Sequence, residues 1–490
     1  MKSLFRGAFL HGASASVLAL GLAACTANPQ ALSRPGDVPP AFTAPMDKAA
    51  PVWPKAGWWA NFGSTELTPL EETAQKENLD IAAAAAQVLA AEANDGVALA
   101  ALFPTLGSSF GASRSGSNTP SFNTGTSNAM SRARNSFTAG LTANYQQGFF
   151  GTQYFDLQAS RENLRAQRYA AAVTGISVSS QVADEYFSVL SFRERIAIAN
   201  ANIAAAKRIL AITQAKVNSG ISSNLDLAEE EATVAQQEST LPGLIESEKE
   251  ARYSLAILLG RAPEGYDVKS QNLDGIVSPA VQPGLPSELL LRNPGIAQAE
   301  AELYAAHANV NAARATYFPS LSLTGSLDSG PVTRLSELFT PASLFWSIGA
   351  SVLQTIFDGG RIHAQNDLAR AQEQQLIATY RKAVFTAFQD VESALGTVKS
   401  TNDTLALLEV ETKADAEAFR ISELQYREGT IDIVQLLQNQ QNLFNAQQAL
   451  VQTKLGRLEA SIALYNALGG GWEQKASDAV YKNQLDWWPL

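Results

Sequence analysis

Side chains that commonly carry chemistry are scarce in this chain of 490 residues, which holds one cysteine and three histidines. His11 lies in the apolar N-terminal stretch, and His307 and His363 are lone residues in helix-forming sequence. No HExxH, phosphate-binding loop or CxxC is present, and no nucleophile elbow is evident. Metal-assisted hydrolysis, nucleotide hydrolysis and dithiol exchange therefore lack their usual residues. The many Glu pairs read as solvated helix faces in most cases. The sequence predicts no enzyme and no metal site.

The remaining reactive group is the thiol of Cys25. Lys2 and Arg6 precede an apolar run from Ala8 to Leu22, and Ala23-Ala24 stand just before the cysteine. That order is a secretory signal with its cleavage site. The string LAAC resembles the lipobox of bacterial lipoproteins, which implies a signal peptide over 1–24 and a covalent lipid on Cys25 as the only attached group. With no second cysteine an internal disulfide is excluded. In lipoproteins, Thr26 after the cysteine implies sorting to the outer membrane.

The formal charge of −11 argues against nucleic acid as a partner. Beyond the signal no run of about 18 apolar residues occurs, so a mature chain that crosses a bilayer must do so with strands. Sliding the sequence along itself reveals a duplication. Asn78, Ile81, Phe103 and Pro104 recur as Asn293, Ile296, Phe318 and Pro319 at an offset of 215 residues. Gly151, Gly220, Leu255 and Gly260 recur as Gly360, Gly429, Leu464 and Gly469 at an offset of 209. The predicted organisation is an N-terminal segment 25–77, repeat one over 78–260, a linker 261–292, repeat two over 293–469 and a tail 470–490.

Each repeat predicts the same elements. A helix stops at Phe-Pro, because a residue before proline is pushed out of the helical region. Alternating stretches follow, about 104–150 and 319–359: Phe137, Ala139, Leu141, Ala143 and Tyr145 interleave with Ser136, Thr138, Gly140, Thr142 and Asn144. Such alternation suits a membrane barrel strand, and equally a half-buried hairpin. Between Gly360 and Gly429 no proline occurs, and Ile377, Tyr380, Val384, Phe388, Val391, Leu395 and Val398 form a stripe at 3- and 4-residue spacing. That rod, roughly 100 Å long at ~1.5 Å per residue, suits the wall of a tube or an exposed coiled coil. Two hairpins cannot close a membrane barrel alone, so several chains must share one.

WWANFGSTEL (58–67), GLPSELLLRNPGIAQAEAEL (284–303), FPSLSLTGS (318–326), IFDGGRIHAQ (356–365), LFNAQQAL (443–450) and ALGGGW (467–472) resemble the TolC-type outer membrane efflux proteins, in their NodT- or OprM-like lipoprotein branch. The resemblance implies an α+β membrane protein: a homotrimer with a 12-stranded β-barrel, four strands per chain, continued by a periplasmic α-helical barrel. It implies a passive exit duct for drugs or other small molecules, partnered by a periplasmic adaptor and an inner-membrane pump of the resistance-nodulation-division class.

It also places the turns at Gly220-Ser222 and Gly429-Thr430 at the periplasmic tips, where the adaptor docks. Family members carry acidic residues six and nine positions after the second-copy glycine. Here Gln435 and Gln438 occupy them, and Asp226 and Glu229 hold the first-copy positions. Whether these acids face the bore or cap a helix start is open at this level. Tyr426 matches a tyrosine of the family's closed-state network, while the basic partner seen in some members is replaced by Ile431. Rival expectations are a type I protein-secretion or metal-ion duct on the same scaffold, and a non-conducting periplasmic coiled-coil lipoprotein.

Overall fold

The computed structural model describes residues 39, 42–43, 53–116, 133–148, 150–279, 284 and 286–472. The signal segment, Cys25, the loop residues 117–132 and the tail beyond Trp472 lie outside them. The chain divides into two compact units.

In the first unit, Ala91–Leu164 and Ala301–Ala378 carry all the described strands. These are β1 (Thr105–Ser115), β2 (Arg134–Gly148), β3 (Ser320–Val332) and β4 (Leu344–Leu353), an antiparallel meander in the order β1-β2-β3-β4. Register sorts the side chains by face. Leu106 pairs with Ala143, Leu141 with Leu327, and Leu327 with Trp346, so apolar side chains of four strands share one side. Thr142 pairs with both Gly107 and Ser326, and Ser326 with Ser347, so the other side is polar. The Ser326 and Ser347 hydroxyls meet at 2.9 Å on that side. On the apolar side Trp346 is 73% exposed and Ile348 82%, far more than water tolerates in one patch. β1 and β4 each have an unpaired edge, which lipid forbids unless another chain covers it. The string Gly107-Ser108-Ser109-Phe110-Gly111 has the spacing of a nucleophile elbow. It runs mid-strand, however, without the strand-to-helix turn that exposes a nucleophile.

The second unit comprises Asp37–Ala90, Arg165–Glu300 and Thr379–Leu490. The α-helices among the described residues are α1 (Leu67–Glu77), α2 (Leu79–Ala100), α3 (Thr152–Asn218), α4 (Asn224–Leu258), α5 (Pro286–Arg292), α6 (Pro294–Ala315), α7 (Arg361–Glu428) and α8 (Ile433–Ala467). The two rods, α3 and α7, run 67 and 68 residues unbroken, and Gly175 and Gly396 do not interrupt them. Tyr380, Val384, Phe388 and Val391 of the apolar stripe are buried.

The duplication extends to individual hydrogen bonds. Asn78 Oδ1 accepts from the Asp80 and Ile81 amides (2.8 and 3.0 Å), starting α2, while its Nδ2 donates to the Leu258 carbonyl (2.8 Å). Asn293 Oδ1 accepts from Gly295 and Ile296 (2.8 and 3.2 Å), and its Nδ2 donates to the Ala467 carbonyl (3.3 Å). One side chain thus caps one helix start and satisfies one helix end, in both copies.

The core of this unit is aromatic. Trp58 stacks on Tyr465 with ring centroids 4.9 Å apart, and Phe62 packs on Phe187 at 5.4 Å. A polar clasp ties the inter-repeat linker to it. Arg193 donates to Glu248 (2.9 Å), to the Val268 and Ser270 carbonyls (2.6 and 2.8 Å) and to Asp267. Glu66 accepts from the Lys269 and Ser270 amides and the Ser270 hydroxyl. The planar guanidinium supplies the fixed fork of donors that such a loop needs.

Candidate functional site at the paired helix turns

Both rods end in the same way. Gly220 has φ +73° and Gly429 φ +77°, the left-handed conformation that glycine adopts without penalty. After α3, the Ile221 amide donates to the Lys216 carbonyl (2.9 Å) and the Gly220 amide to Val217 (2.9 Å). After α7, Thr430 donates to Gln425 (2.9 Å) and Gly429 to Tyr426 (3.1 Å). Each is a Schellman motif, closing the orphan carbonyls of a helix end. The Thr430 hydroxyl adds a second bond to Gln425 (3.1 Å).

The returning helices start with different caps. In the first copy the Ser223 hydroxyl accepts from the Asp226 amide (3.2 Å), and the Asp226 carboxylate accepts from the Ser223 amide (3.0 Å) and the Ser222 hydroxyl. This capping box holds the Asp226 carboxyl below the usual carboxylate range, chiefly through Ser222. In the second copy Asp432 is the cap itself, accepting from the Gln435 amide (3.0 Å). The acid therefore moves from the third helical position to the cap, which gives a local reason for glutamine at 435. Gln435 and Gln438 are exposed and donate along the helix to Asn439 and Asn442 (3.3 and 2.8 Å). Glu229 is half-buried, and its carbonyl accepts from Thr233.

Its neighbour is an exception among the Glu pairs. Glu230 is not on a solvated face: it is fully buried, neither carboxylate oxygen has a hydrogen-bond partner, and burial pushes its carboxyl up to about 8. Val234 and Gln237, four and seven residues on, are buried with it, so the helix face that carries Glu230 is packed inside.

Tyr426 joins the two hairpins. Its hydroxyl meets the Thr213 hydroxyl at 2.9 Å in a buried contact. The Lys216 ammonium sits 4.0 Å from the centre of its ring and donates to its backbone carbonyl. The cation beside this tyrosine comes from the other copy, four residues before Gly220, and not from position 431, which is isoleucine. Its place in the last turn before a tip glycine was the available signal. Around this contact Ile209, Phe419, Ile433, Leu436 and Leu443 close an apolar cluster.

What kind of protein carries a sheet polar on one side with open edges, doubled rods and paired glycine turns is decided by comparison with known proteins. The profile of the family described as outer membrane efflux protein matches residues 70–261 and 285–470. The chain belongs to the outer membrane efflux protein family. It is 37% identical over 427 residues to the pyoverdine export outer membrane protein OpmQ of Pseudomonas aeruginosa, covering 87% of this chain and 90% of that one. It is 29% identical to the cation efflux system protein CusC of Escherichia coli K12, over 93% of this chain and 98% of that one. Among solved structures, the outer-membrane channel OprN aligns with a TM-score of 0.79 at 27% identity, over 90% of this chain and 98% of that one. The open-state MtrE channel of Neisseria gonorrhoeae aligns at 0.78 and 27% identity, covering 89% and 96%.

As an outer membrane efflux protein, the chain is one third of a trimeric channel in the outer membrane. Its four strands are its share of the barrel wall and its rods belong to the helical barrel in the periplasm. It serves as the exit channel of a tripartite efflux system, with an adaptor and an inner-membrane pump as partners.

Proposed function

We propose that the paired turns form the periplasmic mouth of the duct, and that the contact of Lys216 and Thr213 with Tyr426 is its latch. The observation that carries this reading is the tie itself: two hydroxyls and a cation–π contact join the last turns of α3 to those of α7, beside both tip glycines. A cation over an aromatic ring contributes ~0.5–2 kcal/mol, enough to bias a closed arrangement without locking it. Ile221, Leu225 and Val434 are exposed at the same turns, apolar surface suited to an adaptor's tip. Asp226 and Glu229 lie just past the first tip turn in this reading, while Gln435 and Gln438 leave the matching positions of the second copy uncharged and Asp432 and Glu428 are the acids at that turn.

The test is single-channel recording of the purified trimer. Lys216→Ala, and more strongly Lys216→Ala with Tyr426→Phe, are expected to raise the mean conductance or open time several-fold. Unchanged conductance in the double variant removes the latch.

The pump is read as a proton-driven resistance-nodulation-division transporter, by family resemblance. Cargo is set by that pump, since similar relatives are named for pyoverdine, cation and toluene export. Cys25 is read as the lipidated first residue of the mature chain. The mass of the mature N-terminal peptide should carry acyl chains, and a plain Cys25 peptide would overturn that reading.

A further inference from the structure

On the polar face of the sheet, which in the barrel lines the water-filled bore, the side chains are almost all serine, threonine, asparagine or glycine. Gln146 lies among them, and Arg134 and Leu353 stand at strand ends; between these ends one cross-strand row departs from the pattern. Ser109 pairs with Gly140, Gly140 with Asp328, and Asp328 with Phe345. Asp328 is the one acidic residue among the described strand residues. Phe345 is the one aromatic on the polar face of those strands, and it is half-exposed rather than packed away.

The backbone makes room for the carboxylate. A Cβ built on Gly140 would overlap Asp328 Oδ1 and lie 3.4 Å from the Ser109 hydroxyl, so the carboxylate occupies the space that glycine leaves on the neighbouring strand. The other charged strand residues are Arg134 and Arg114, at the far ends of β2 and β1. Arg134 shares the polar face but stands six residues from Gly140, about 20 Å away at ~3.4 Å per residue. At ~0.1 M salt, where the Debye length is about 10 Å, it does not cancel the charge at Asp328.

We propose that Asp328 is a specificity-determining residue of the duct. Repeated in three subunits beside Phe345, it favours cations at the level of the outer membrane, organic cations above all. A carboxylate draws in positive charge, and an aromatic ring on the next strand gives a poorly hydrated ammonium a face to rest on. This selection acts within the barrel wall and does not depend on the latch at the helix turns.

The test is the reversal potential of the trimer under a KCl gradient near ~0.1 M, where the Debye length of about 10 Å screens Asp328 from Arg134. Wild type should prefer potassium to chloride, and Asp328→Asn should lower that permeability ratio at least twofold. Asp328→Glu should keep it. Phe345→Ser should weaken block by tetrabutylammonium severalfold while leaving the potassium-to-chloride ratio intact. A ratio unaltered in Asp328→Asn overturns the charge assignment, and block unaltered in Phe345→Ser overturns the aromatic one.

Discussion

Gly469→Ala is expected to cost the trimer about 3 kcal/mol or more per subunit and to cut the yield of folded protein sharply. Two effects add. Gly469 has φ +89°, a conformation that L side chains rarely adopt, and a Cβ there would overlap the carbonyl oxygen of Arg292. Backbone carbonyls do not swing aside as a lysine tip does, and Arg292 is followed directly by Asn293, which ties α6 to the end of α8. Gly260→Ala should behave alike, because its Cβ would overlap the carbonyl oxygen of Glu77, beside Asn78. Gly396→Ala is the matched control. It lies inside α7 with nothing within 4 Å of an added Cβ, so alanine there should stabilise by roughly 0.5–1 kcal/mol. Thermal unfolding of detergent-solubilised trimers followed by circular dichroism measures all three, and equal midpoints for Gly469→Ala and wild type would refute the packing argument.

The second large effect depends on pH. Glu71 of α1 is wholly buried, with 0% of its surface exposed. Burial pushes its carboxyl up to about 9, Ser179 opposes that shift, and Asp184 adds to it. Asp184 is itself raised to about 7 by burial and by Glu459 and Glu185. In the unfolded chain the Glu71 carboxyl ionises near its ordinary value of 4.5, so between that pH and about 9 the folded state holds a proton that the unfolded state has released. Folding stability is therefore complete below the unfolded value and falls as pH rises towards the folded one. At pH 7 the loss from this residue is on the order of 3 kcal/mol. Glu71→Gln keeps the shape and removes the titration. Its unfolding temperature should exceed that of wild type at pH 8 and approach it near pH 5. A gap of the same size at both pH values would mean that Glu71 does not carry the proton.

These residues mark what a linear reading can and cannot reach. Phe-Pro pairs, tip glycines and alternating strands are local signals, fixed by backbone sterics within a few residues, and they place the hairpins and turns. Asn78 and Asn293 are visible as a repeat, but their bonds to Leu258 and Ala467 join residues about 180 apart, and nothing periodic announces them. The same holds for Lys216 and Tyr426, which belong to different copies and non-equivalent positions. Burial of Glu71 and Glu230 is the hardest case. In acidic, alanine-rich helices a glutamate is ordinarily solvated, and only the packing of neighbouring helices turns these two inward. The polar face of the sheet was legible as alternation, whereas the row that aligns Asp328 with Phe345 required the register between strands.

The central claim is that cargo leaves through a bore whose mouth is built from the paired turns. Efflux in a strain lacking this chain, complemented by wild type or by Gly429→Pro, tests it most directly. Proline fixes φ near −65° where the turn has +77°, so it breaks the second tip and leaves the strands alone. Wild type should restore export, and Gly429→Pro, present in the outer membrane as a trimer, should not. Full export through the Gly429→Pro trimer, or none through wild type with its pump and adaptor present, would contradict it.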